Sequence, residues 1–160
     1  MEQNTPLVII DALRNFELSV ALMYETFGRV FPEEERIWQG LAEEEKQFAR
    51  LLAGLKIYYR NRLVSFRETR ITIQVIDREI GFALEQIDKA RSGNLSLRDA
   101  VAAGKRIEES ILENDLLRVF SFSSPKAKEA VMNLLRGTKN HREKLAFWLE
   151  LLDKNRQAAV

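Results

Sequence analysis

The sequence predicts an all-α protein, an antiparallel bundle of four long helices. Apolar residues recur at helical spacing through four long segments, and each of the three prolines stands where such a segment begins. A long connection between the second and third segments then lets two helix hairpins lie side by side.

The 160 residues suit a single domain, 1–160, with a sound core, and 46% apolar and 31% charged residues are usual for a globular helical chain. Lysine and arginine (25) nearly balance aspartate and glutamate (24), a net charge of +1. That balance gives no electrostatic case for nucleic acid or a membrane surface as partner. Met1-Glu2-Gln3-Asn4 lacks the layout of a signal peptide, and no apolar run approaches a membrane span, so a cytoplasmic location is expected. The absence of cysteine excludes disulfides, thiolate metal sites and iron–sulfur clusters within the chain.

Helix 1 is expected from Pro6 to Arg29, capped by Thr5, with Ile9, Leu13, Phe16, Val20, Tyr24 and Phe27 on one stripe. Helix 2 runs from Pro32 to Arg60, opening on Glu33, Glu34 and Glu35 against the positive end of its dipole. Its stripe is Trp38, Leu41, Phe48, Leu52 and Leu55. Helix 3 starts at Leu97, after the Gly93-Asn94 break and a capping-box pattern at Ser96 and Asp99, and reaches Phe120. Its stripe is Val101, Gly104, Ile107, Ile111 and Leu112. Helix 4 follows the Ser124-Pro125 cap to Asn155, with Val131, Leu134, Leu135, Leu145, Trp148 and Leu152. The connection 61–92 holds a helical piece from Ile76 to Arg91, preceded by a short extended stretch from Thr69 to Ile73.

Four polar residues fall on these core stripes. Glu17 lies between Phe16 and Val20, Glu45 between Leu41 and Phe48, Glu108 beside Ile107, and His141 between Leu134 and Leu145. A buried carboxylate is costly unless paired, protonated or bound to metal. Glutamates are common in helices, however, and Glu43-Glu44-Glu45 and Glu108-Glu109 place an acid near any chosen face. A lone helical histidine is more often packed or capping than a ligand.

These helices resemble the rubrerythrin branch of the ferritin-like proteins. The resemblance rests on Glu17-x-x-x-Ala21-x-x-Tyr24 in helix 1 and on Trp38-x-x-Leu41-Ala42-x-x-Glu45-x-x-Phe48-Ala49 in helix 2. It continues through Ile107-Glu108-Glu109-Ser110 and Thr138-x-x-His141, covering nearly the whole chain. It implies a ferritin-like fold, a homodimer, and two iron or manganese ions held by single glutamates from two helices and Glu-x-x-His pairs from two more. Carried over by position, Glu17, Glu45, Glu108 and His141 match. Phe48 stands where the resemblance implies histidine, and Thr138 where it implies glutamate.

Two of six ligands are thus missing, one from each Glu-x-x-His pair, and three carboxylates cannot neutralise two divalent ions. The expectation is an incomplete centre holding no metal, or a single iron, manganese or zinc ion, with little redox catalysis and a binding or structural role. The rival is an active non-haem iron or manganese oxidoreductase with a rebuilt site and a separate electron donor. A helical interaction module would instead turn Glu17, Glu45 and Glu108 away from one another. Without metal, the acids need a protonated His141, an inward Lys105 or Lys144, or a hydrogen bond from Thr138.

One histidine and no cysteine exclude hydrolase triads, and no phosphate loop is present. Arg60, Arg62, Arg67 and Arg70 read as a solvated helix edge, and Trp38 and Trp148 as core or dimer-interface anchors.

Overall fold

The computed structural model describes residues 6–67, 71–113 and 120–158, side chains at 111–113 and 134 excepted. Its order is α1 (Pro6–Val30), a 3-10 turn (Pro32–Glu34), α2 (Glu35–Arg60), β1 (Val64–Phe66), α3 (Ile73–Arg91), α4 (Leu97–Glu113), β2 (Phe120–Phe122) and α5 (Pro125–Ala158). The chain is therefore mostly helical. The expected details at Thr5, Thr69 and Arg70, and the side chains of Ile111, Leu112 and Leu134, lie outside the described residues.

Local chemistry accounts for the helix ends. The Asp99 N–H donates to Ser96 Oγ at 3.1 Å while that hydroxyl donates to the Asp99 carboxylate, and together they open α4. Thr72 caps α3 through the Val75 N–H, and Ser124 caps α5 through the Ala127 N–H. At the end of α3, Gly93 adopts φ +73°, and the N–H groups of Gly93 and Asn94 return to the carbonyls of Ala90 and Lys89. The end of α2 repeats this motif with an arginine. Arg62 takes φ 59°, with Arg62 N–H bonded to Tyr59 and Leu63 N–H to Tyr58.

The α1 and α2 helices pack along one another, as do α4 and α5, and α2 meets α5. Their stripes form the core, from Ile9, Phe16 and Val20 through Leu52 and Leu55 to Val101, Ile107, Val131 and Leu145. The connection carries more structure than expected. Its helix begins at Ile73, where an extended residue was expected, and lies along α1 as a fifth helix. It buries Ile76, Glu79, Ala83, Gln86, Ile87 and Ala90. Arg106 of α4 pairs with Glu79 at 2.9 Å and stacks over the Phe82 ring, tying α3 to α4.

The end expected for helix 3 is also corrected. Phe120 is in a strand, and β2 pairs antiparallel with β1 through Val64 with Phe122 and Phe66 with Phe120. The Phe66 and Phe120 rings meet edge to face at 5.3 Å, which fixes the register. Among the described residues, no helix is long and apolar enough to cross a membrane.

Candidate functional site

Glu17, Glu45, Glu108 and His141 come from α1, α2, α4 and α5, and all four are buried, at 2%, 2%, 2% and 0% exposure. Helical periodicity explains the convergence. Glu17, Glu45 and His141 each lie one turn from core side chains of their own helix, and Glu108 lies beside the buried Ile107 and one turn from the buried Gly104, so burying the stripes carries all four inward.

The geometry centres on His141. Its Nδ1 lies 2.7 Å from Glu45 Oε1 and 3.5 Å from Glu108 Oε1, and its Nε2 lies 2.8 Å from Glu44 Oε2. An ionised carboxylate only accepts, so a ring bonded to one at each nitrogen donates from both and is an imidazolium. Burial alone would lower the His141 pKa. The hydrogen bonds and charges of Glu108 and Glu45 outweigh it and raise the group to about 11.

The pKa values of two of the acids also rise, which favours their neutral forms. Burial, together with the charge of Glu45, pushes Glu108 up to about 7. Burial also raises Glu17 well above the ordinary range, and Glu17 shares a hydrogen bond with Glu45 that requires one proton between them. The Tyr24 hydroxyl donates to Glu108 at 2.7 Å, and burial holds that phenol in its neutral form. A protonated Glu17 and a positive His141 leave about one net negative charge on the four buried groups instead of three, which lowers the cost of burying three carboxyls together.

The two departures from the expected ligand pattern are also buried. Phe48 lies with its ring 5.8 Å from the His141 ring, and it fills a notch on α5. A Cβ on Gly137 would stand 1.9 Å from Phe48 Cζ, so the ring lies over bare backbone. Thr138 is buried beside this notch, one residue from Gly137.

Six positions for a dinuclear centre are therefore not available. One is an apolar ring seated against a glycine, another carries a hydroxyl, and both histidine nitrogens are engaged by carboxylates. One ion is a different matter. Glu45, Glu108 and His141 each offer a donor atom, and the three atoms lie within 4.8 Å of one another. That buried group could hold a metal if His141 released its proton.

The structure brings together all four residues singled out by spacing, and the outward arrangement expected of an unrelated interaction module is not found. Lys105 and Lys144 do not reach inward. Lys105 pairs with Glu109, and Lys144 approaches Glu44 at 3.6 Å. Arg60, Arg62 and Arg67 are exposed, as a solvated edge requires, and Arg70 lies outside the described residues. Trp38 is fully buried and Trp148 partly so.

Sequence reasoning missed Glu44, Gly137 and the bond from Tyr24 to Glu108. The signal for Glu44 was its place in the Glu43-Glu44-Glu45 run; the signal for Gly137 was a glycine inside a long helix, where it costs about 1 kcal/mol against alanine.

Comparison with family models, with curated proteins and with solved structures finds no match for this chain.

Proposed function

We propose that this chain is a rubrerythrin-like, ferritin-type bundle protein in which a protonated cluster stands in place of a dinuclear metal centre. Its role is binding or structural, as a homodimer, with little redox catalysis of its own. The observation that carries this reading is the double engagement of His141 by Glu44 and Glu45, which supplies within the protein the positive charge a metal would bring. The Phe48 ring in the Gly137 notch supports it further, since that packing leaves no donor on the side where the pattern calls for one.

The convergence of donor atoms from Glu45, Glu108 and His141 favours a second reading, a site for one ion of iron, manganese or zinc. Such an ion must displace a proton from His141 and separate it from a carboxylate, which costs several kcal/mol at neutral pH. Binding is accordingly weak. Redox turnover at such a site would draw electrons from a separate protein, because the chain has no cysteine.

Anaerobic titration of the purified chain with Fe(II), followed by metal analysis, tests the proposal. Well under one ion per chain is expected. About two per chain, with oxidation on exposure to oxygen, would establish the rival oxidoreductase. The Phe48→His/Thr138→Glu variant restores the missing donors and is expected to bind more Fe(II); a folded variant with no gain would refute the positional assignment.

A further inference from the structure

Both tryptophans of the chain and one of its three tyrosines form a continuous run of ring contacts that starts at the buried cluster and ends at the surface. The Tyr24 ring lies against Trp38 at 5.6 Å between centroids, with planes 26° apart. Trp38 in turn lies 4.8 Å from Trp148. Tyr24 and Trp38 are fully buried, whereas Trp148 is partly exposed in an apolar groove lined by Ile37, Leu41, Phe147 and Leu151. The three rings thus link α1, α2 and α5 and run from Glu108 to solvent.

Their hydrogen bonds differ in a way that assigns each ring a different task. The Trp38 indole N–H is buried without a hydrogen-bond partner among the described residues. A buried indole that loses an electron there has no base to take its proton, so it remains an oxidising cation radical and passes the vacancy on. Tyr24 has such a base, since its hydroxyl already donates to Glu108 at 2.7 Å. A phenol that loses an electron becomes strongly acidic, and its proton has a direct route to that carboxylate.

We propose that Trp148, Trp38 and Tyr24 form a hole-transfer chain that carries a one-electron oxidation from the surface groove to Tyr24. A diffusible oxygen-centred radical, of the peroxyl class, takes an electron from Trp148 and is itself reduced to the peroxide anion. Trp38 returns an electron to Trp148, and Tyr24 returns one to Trp38. The Tyr24 hydroxyl proton passes to Glu108, leaving a neutral tyrosyl radical and two restored tryptophans. The chain needs no metal, so it stands apart from the functional reading above.

Flash oxidation with a ruthenium(II) polypyridyl sensitiser and a cobalt(III) ammine quencher, followed by transient absorption, tests this. The tryptophanyl signal is expected to decay as a tyrosyl signal appears. Tyr24→Phe is expected to abolish that tyrosyl signal and lengthen the tryptophanyl lifetime, while Tyr58→Phe/Tyr59→Phe leaves both unchanged. A tyrosyl signal that persists in Tyr24→Phe and disappears in the double variant overturns the proposal. Trp38→Phe should slow the arrival of the hole at tyrosine. If that core change prevents folding, Trp148→Phe at the groove should lose the tyrosyl signal, and an undiminished signal there overturns the proposal equally.

Discussion

Gly137 on α5 makes the room that Phe48 on α2 fills: a Cβ at position 137 would lie 1.9 Å from Phe48 Cζ and 2.8 Å from both neighbouring ring carbons. Gly137→Ala should therefore destabilise the protein by about 2 kcal/mol, the usual scale of core overpacking. In a Phe48→Ala background the clash is gone, and the same change should stabilise by up to about 1 kcal/mol through helix propensity. Urea denaturation of the four proteins measures this reversal. Additive effects would mean that the two residues do not share one space.

Stability should fall as pH rises. The folded His141 holds its proton to about pH 11, while the unfolded residue releases it near 6.5, so its contribution is complete below 6.5 and lost on the way to 11. Glu108, at about 7 when folded against 4.5, acts in the same direction between those values. Each group contributes up to about 1.4 kcal/mol per pH unit within its window. Denaturation curves should show this decline, and His141→Gln should flatten the part above neutral pH. An unchanged slope in the variant would assign the decline to other groups.

Arg62 ends α2 in a left-handed conformation that glycine adopts freely, as Gly93 does at the end of α3. Arg62→Gly should raise stability by about 1 kcal/mol, read as a higher Tm. A lower Tm would show that the arginine side chain contributes more than its backbone costs.

Chelation should leave the protein's stability unchanged. A cluster balanced by His141 gains nothing from metal in its native state, so excess EDTA should not move Tm. A drop of several degrees would mean that a bound ion contributes to folding.

What the sequence revealed divides by distance along the chain. The caps at Ser96 and Ser124 and the stripes of Ile9 to Phe27 and Trp38 to Leu55 depend on neighbours a few residues away, and these were legible. Glu17, Glu45, Glu108 and His141 were legible for the same reason, because each shares a stripe with core residues. Glu44 lies one residue, about 100° of helix rotation, from Glu45, and a long side chain carries its carboxylate round to His141. That reach has no periodic signature. The pairing of Val64–Phe66 with Phe120–Phe122 joins segments far apart in sequence, and three residues of alternation are too few to announce a strand. Phe48 was identified as a departure, but its notch depends on a glycine of another helix.

The central claim is that His141 carries two protons and so takes the place of a metal cation. Because the chain has a single histidine, its ring signals are unambiguous in a nitrogen-15 correlation spectrum of the labelled protein. At about pH 8, well above the ordinary histidine range, both ring nitrogens should carry hydrogen and show imidazolium shifts. A neutral ring at that pH, with one nitrogen bare, would contradict the account.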